Sequence, residues 1–336
     1  MRVLVYIPCH SDFDFAVLQA QKIKNDFDFF KKVQNLRYLS LNIILSVNAY
    51  QPSQEQIRIA SQICSKVVEN SSGFMADINI SNGFIQALET KPDILWLLSA
   101  NDDLVPNAIG NILIEFIKDQ NLDLLVTSLD RDETFTEYQV IDPNKTGFSY
   151  GLISGVVYKL NRLMPFLHNG PFMAWTGWSQ LTVIQNSMDS LGGLRIKTLP
   201  FELVYSQRER ELASAGKNYA HSVYGMLILA VVLKKNKRAA RKFIRKYIFM
   251  NFYSWHLFSR RWNYSGQVAA KDHYLAWNQM IAEALIFKKT PVTYLFYQFF
   301  KTIPFENLSG INFVISVKRK FDKVLGQSKH YKNELS

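Results

Sequence analysis

Residues 93–106 read DILWLLSANDDLVP. Asp93–Leu98 is an apolar run of strand length, short enough to be buried on both faces of a sheet. It leads into Asn101-Asp102-Asp103, and Pro106 follows. Beyond the proline, Ile109, Ile112, Leu113, Phe116 and Ile117 recur at i, i+3, i+4, i+7 and i+8, which predicts a helix over Leu104–Lys118. A buried strand, a polar loop and an amphipathic helix in that order form one half of a βαβ unit.

The same alternation extends in both directions. Arg2–Pro8 (RVLVYIP) and Leu41–Val47 (LNIILSV) are apolar runs of strand length, and Phe13–Lys32 between them is helix-like. After Pro52, Ser53 and Gln56 stand at capping-box spacing and open a helix to Ser65. Lys66–Glu69 is a brief strand, Asp77 is placed to cap a helix running to about Leu88, and Leu122–Thr127 is a further strand. From Arg131 to Tyr205 the pattern is less regular, with strand signals at Gly151–Tyr158 and Arg195–Leu199. Strands joined by helices predict an α/β class with a mostly parallel, Rossmann-like sheet flanked by helices. We place this domain at residues 1–212 and a mainly helical region at 213–336. Ligands of such sheets bind beyond the carboxyl ends of the strands, which directs attention to the residues after Pro8, Val47, Asn70 and Leu98.

Asp102 and Asp103 are the sharpest chemical feature. Adjacent carboxylates repel, and each favours protonation unless a cation or hydrogen bonds compensate. Oxygen ligands of this kind suit Mg²⁺ or Mn²⁺, which bind one or two carboxylates together with substrate phosphates. The other use of such a pair is at a helix start, where acidic side chains offset the macrodipole.

Charge divides the chain in two. Residues 1–214 hold 18 Lys and Arg against 23 Asp and Glu, whereas residues 215–336 hold 21 against 5. The basic half calls for an anionic partner. Within it Lys237, Arg238, Arg241, Lys242, Arg245 and Lys246 fall on one side of a helix, with Ala239, Ala240, Phe243, Ile244 and Tyr247 on the other. Ile248 breaks that separation. Tyr253, Trp255, Phe258, Trp262 and Tyr264 follow, mixed with Arg260 and Arg261. Such a stretch suits a membrane interface; a surface helix docked on the core is the alternative. An acidic first half and the absence of any readable nucleic-acid module argue against nucleic acid. The longest apolar run, Val223–Leu233, has 11 residues, whereas a spanning helix needs roughly 20. Two cysteines, Cys9 and Cys64, make no disulfide framework, and we expect a cytoplasmic protein lying peripherally on the inner face of the cell membrane.

Five segments in this order resemble the GT-A glycosyltransferases, specifically the large family 2 of inverting enzymes: VYIPCHSD, SVNAYQPSQE, SSGFMADINISNGFIQAL, SANDDLVP and YGLISGVVYK. The resemblance covers about residues 1–205. It implies that Asp103 is a metal ligand under the donor diphosphate and that Asp102 contacts the ribose or the metal. It implies further that Pro8, His10, Asn48, Asp77 and Asn82 line the nucleotide pocket and that Mn²⁺ or Mg²⁺ is the cofactor. Trp175 and Trp178 stand where the family binds acceptors; core packing is their other use. The sequence departs from the family at two places. Asn48 stands near the usual base-binding Asp, and the Glu-Asp pair that holds the catalytic base is replaced by Ala174-Trp175-Thr176-Gly177-Trp178-Ser179-Gln180-Leu181. An inverting transfer needs a base at the acceptor hydroxyl, and Asp130, Asp132 and Glu133 are the nearest substitutes in sequence.

The resemblance implies a transferase that moves a sugar from a nucleoside diphosphate donor to a glycan or lipid-linked acceptor in bacterial surface polysaccharide (capsule or lipopolysaccharide) biosynthesis. Two alternatives stand beside it. A catalytically silent nucleotide-sugar-binding or scaffold protein is favoured by the missing Glu-Asp pair. A nucleotidyltransferase would need a Gly-rich, Lys- or Arg-bearing first loop, which IPCHSDFD lacks.

Overall fold

The computed structural model of the protein describes residues 1–205 except 11, 49, 71–75, 128–138, 142–152, 173, 175–178 and 200. The elements in chain order begin with β1 (Arg2–Cys9), α1 (Phe13–Val33), β2 (Ser40–Asn48), α2 (Gln54–Ile63), β3 (Lys66–Asn70), α3 (Ala76–Thr90) and β4 (Ile94–Leu97). Then come β5 (Asp103–Leu104), α4 (Ala108–Lys118), β6 (Leu124–Thr127), β7 (Gln139–Ile141), β8 (Val156–Lys159), α5 (Leu160–Leu163) and α6 (Asn169–Phe172). The last are α7 (Ser179–Leu191), β9 (Leu194–Leu199) and β10 (Val204–Tyr205).

Among the described residues eight strands form one sheet in the order β3-β2-β1-β4-β8-β6-β9-β7. The pairs β3–β2, β2–β1, β1–β4 and β6–β9 are parallel, while β8 and β7 run against their neighbours. This is the mostly parallel α/β sheet that the strand–helix alternation predicts. β1 shows why its residues form a strand. Val3, Val5 and Ile7 enter the core made with α1, α2 and α4, while Leu4 and Tyr6 enter the core made with α3, α5 and α7. A strand covered on both faces needs apolar residues at every position, which an uninterrupted apolar run supplies.

Local signals set several boundaries. Ser53 Oγ accepts from Gln56 N at 3.2 Å and Gln56 Oε1 accepts from Ser53 N at 2.9 Å, the capping box expected at the start of α2. Two boundaries differ from expectation. α4 begins at Ala108 and not at Leu104, because Asp103–Leu104 pairs antiparallel with Val204–Tyr205 and Val105 N donates to Leu203 O at 3.1 Å. The N-cap residue Asn107 has φ 61° and makes no side-chain cap bond; Ala108 N donates instead to Val105 O at 3.2 Å. α3 begins at Ala76, which puts Asp77 in its first turn and not at its cap.

Gly83 sets how closely α3 lies on the sheet. A Cβ there would overlap the Leu97 side chain and stand 2.9 Å from Tyr6 Cδ1. Gly83→Ala should therefore destabilise by about 1–3 kcal/mol through overpacking, offset only in part by better helix propensity. Urea denaturation checks this; a stability equal to or above that of the parent would show that the helix can step back at no cost.

Both cysteines are free and buried, and burial pushes the Cys64 thiol up to about 12, which keeps it protonated and inert. Among the described residues no helix is long and apolar enough to cross a membrane.

Candidate functional site

The chain adds β2 and β3 on one side of β1 and then returns to place β4 on the other. The carboxyl ends of β1 and β4 are therefore the switch point at which the connecting loops diverge and leave a crevice. Pro8 contributes to the opening. The β1–β4 ladder stops at Tyr6↔Leu97, two residues before Pro8, which has no N–H to extend it. Pro8 itself is buried within β1 opposite Ser46.

Two of the residues singled out in the sequence, and one loop, lie at this edge. His10 directly follows β1, Asn48 ends β2, and the Ser99–Asp103 loop follows β4. The fully buried Asn48 donates from Nδ2 to His10 Nδ1 at 3.1 Å. With Nδ1 as acceptor, the imidazole proton sits on Nε2. Burial holds His10 below the ordinary histidine range. Protonation would set a ring N–H against the Asn48 amide hydrogens. The sign of the linkage follows: His10's contribution is fully present above the unfolded value near 6.5 and is lost as pH falls through the lower folded value. The His10 imidazole should titrate below pH 6.5 by NMR, and His10→Gln should remove a step in thermal stability between pH 7 and pH 5. A titration above pH 6.5 would reverse the assignment.

The Ser99–Asp103 loop is held by its own backbone. Ser99 N donates to Ser154 Oγ at 2.8 Å, Asn101 N to Ser99 Oγ at 3.3 Å and Asp102 N to Ser99 O at 3.2 Å. Leu104 N donates to Gln19 Oε1 at 3.1 Å, and Val105 N to Leu203 O at 3.1 Å. These five amides are committed to protein acceptors. The loop therefore commits three of its own five amides, those of Ser99, Asn101 and Asp102, inside the protein. It offers side-chain oxygens, which meet a diphosphate through a cation.

The structure separates the two aspartates. Asp103 Oδ1 is 2.6 Å from Lys22 Nζ and 3.3 Å from Gln19 Nε2, both on α1. The Lys22 hydrogen bond holds the Asp103 carboxyl below the usual range, and burial opposes this only in part. Asp103, which the motif marks as the metal ligand, is engaged through Oδ1 by Lys22 and Gln19. Asp102 lies one residue earlier, half-buried in the loop, beside the exposed Asn101. With α4 starting at Ala108, the helix-capping use of this pair falls away. Among the described residues no group of three or more His, Cys, Asp or Glu side chains is arranged to hold a metal ion. Carboxylates in a loop fit a cation that arrives with its diphosphate.

Beneath the edge lies a buried network that the sequence pattern did not disclose. The fully buried Asn79 of α3 accepts on Oδ1 from Tyr6 Oη at 3.0 Å and from Ser46 Oγ at 2.6 Å, and its Nδ2 donates to Ser46 O at 3.1 Å. Asn70 Nδ2 donates to Ser46 Oγ at 3.0 Å and to Val47 O at 3.1 Å. The network ties the start of α3 to β1, β2 and β3 below the crevice. Asn82, one turn later, is half-buried. The Asp77 side chain, Trp175, Trp178, Asp130, Asp132, Glu133 and the basic stretch from 237 lie outside the described residues.

No family model matches the chain, and no curated protein matches it in sequence. Among solved structures, residues 1–349 of S. aureus TarS in complex with UDP-GlcNAc match with a TM-score of 0.55 and 14% identity, over 86% of this chain and 82% of that one. The protein has a GT-A-like α/β fold. The mannosyltransferase PcManGT from Pyrobaculum calidifontis, in complex with GDP-Man and Mn²⁺, matches at 13% identity over 96% of this chain and 88% of that one, with a TM-score of 0.41. A cytidylyltransferase from Leptospira borgpetersenii matches at 13% identity over 71% of this chain and 97% of that one, with a TM-score of 0.38. At these identities the likeness extends to the fold alone, and the two matches below 0.5 add nothing to it.

Proposed function

We propose that the protein is a glycosyltransferase that takes a sugar from a nucleoside diphosphate donor. One observation carries this reading: His10, Asn48 and the Asn101-Asp102 loop converge at the switch point of a GT-A-like sheet. His10 and Asn48 would face the nucleoside. A divalent cation, Mn²⁺ or Mg²⁺, bound with the diphosphate would be held by Asp102 and would neutralise charge on the leaving group. The TarS complex with UDP-GlcNAc supports a nucleotide sugar as the bound species. Trp175 and Trp178 are proposed on the acceptor side and the carboxylates at 130, 132 and 133 as sources of the base. The proposed acceptor is a glycan or lipid-linked sugar of bacterial surface polysaccharide assembly. Titration with UDP-, GDP-, ADP- and dTDP-sugars, with and without Mn²⁺, tests the reading: one nucleotide should bind saturably and more tightly with metal. Failure of all four under both conditions would end it.

A second reading is a protein that binds a nucleotide sugar without transferring it. α7 supports it, since the helix opens on the buried Ser179 and Gln180 and no carboxylate stands at its start. Donor binding without hydrolysis or transfer to any acceptor would select this reading.

The basic half is proposed to lie on the cytoplasmic membrane face. Each basic residue near an anionic surface contributes on the order of 1 kcal/mol, screened by salt. Changing Arg241, Lys242, Arg245 and Lys246 to Gln should release the protein from anionic vesicles and leave nucleotide binding unchanged. Equal vesicle binding by parent and variant would exclude this role.

A further inference from the structure

Gln19 is a polar residue in the middle of α1, fully buried, flanked by the buried Ala16, Ala20 and Ile23. A buried amide persists where both of its ends are satisfied. Here Oε1 accepts from Leu104 N at 3.1 Å and Nε2 donates to Asp103 Oδ1 at 3.3 Å. Turning the amide over would set donor against donor and acceptor against acceptor, so this contact fixes its orientation. Lys22, three residues on and on the same helix face, adds its ammonium to the same carboxylate oxygen at 2.6 Å. From the opposite side β10 pairs Tyr205 with Asp103 and Val204 with Leu104. The segment is thus clamped between a helix and a strand immediately after Asp102.

We propose that Gln19 and Lys22 are positioning residues which, through Asp103, hold the 99–104 loop where Asn101 and Asp102 meet a bound diphosphate. The inference rests on the nucleotide-sugar reading for its ligand and on the α1 contacts for its geometry. It assigns the adjacent aspartates different tasks: Asp102 faces the ligand, and Asp103 is the anchor. A two-residue strand with two ladder positions has little stability of its own. Without the anchor the loop loses its fixed register, and the ligand must restore it on binding.

The test uses Lys22→Met, Lys22→Arg, Asp103→Asn and the double variant Lys22→Met/Asp103→Asn in the full chain. UDP and GDP with Mn²⁺ serve as calorimetric probes, alongside hydrogen exchange of the amides at 101–105. Lys22→Met and Asp103→Asn should each weaken the preferred diphosphate by about tenfold, as loss of an outer supporting contact does. The double variant should lose no more than either single change, and Lys22→Arg should stay near the parent. Exchange at Asn101, Asp102 and Leu104 should quicken in both single variants while the melting temperature changes little. Abolished binding in Asp103→Asn together with parent-like binding in Lys22→Met would overturn the proposal, since Asp103 would then touch the metal itself. Unchanged exchange in Lys22→Met would overturn it equally. If the parent binds neither nucleotide, the functional reading fails separately, and the exchange measurement alone decides whether the anchor exists.

Discussion

Replacing Asn79 with leucine should lower the unfolding free energy by about 3 kcal/mol. The fully buried side chain accepts from both Tyr6 Oη and Ser46 Oγ and donates to the Ser46 carbonyl. Leucine removes all three bonds and leaves two hydroxyls and a carbonyl in a space closed to water. Each such orphan costs about 1–3 kcal/mol, reduced where a hydroxyl can turn to another acceptor. Tyr6→Phe removes one donor and leaves the amide otherwise satisfied, so it should cost only about 1 kcal/mol. Burial raises the Tyr6 hydroxyl well above its ordinary range, so it stays a neutral donor and the effect should not vary between pH 6 and pH 9. Chemical denaturation of both variants measures the difference. A loss below about 1 kcal/mol in Asn79→Leu would mean that the network contributes little net stability.

Asp102→Asn should weaken Mn²⁺-dependent binding of the nucleoside diphosphate by about 100-fold. It should leave stability within about 0.5 kcal/mol, as expected for a loop position outside the core. The charge is what matters: an amide keeps the shape and one acceptor but cannot balance a divalent cation against a diphosphate. The comparison with Asp103→Asn is informative, because that variant should lose only about tenfold. Metal-dependent affinity within threefold of the parent in Asp102→Asn would remove Asp102 from the site.

Features of the fold that rest on neighbours in sequence were legible. β1 and β4 are apolar runs, and a strand covered on both faces leaves no other pattern open to them. The start of α2 was readable because Ser53 and Gln56 close a hydrogen-bonded ring over three residues. The placement of His10, Asn48 and the 99–103 loop at one sheet edge was legible for a different reason. In a parallel sheet the polar residues directly after each strand must collect at one edge.

What remained hidden depends on residues far apart in the chain. Pro106 and the apolar spacing argued for a helix from Leu104. Val204–Tyr205, about 100 residues on, takes the backbone of Asp103–Leu104 into a ribbon instead. Asp102 and Asp103 are equivalent as letters, and the motif favoured the second as the metal ligand. Lys22 and Gln19 engage that second aspartate at separations of 81 and 84 residues, which the letters do not show. Asn79 looked like one more polar residue in a helical segment until β1 and β2 brought Tyr6 and Ser46 to it. The sequence by itself determined the parallel sheet and the edge on which a ligand would sit, because hydrophobic period and strand direction are local properties. Only the tertiary structure decided that Asp103 meets Lys22 and Gln19, because those partners are brought to it by packing α1 against β5.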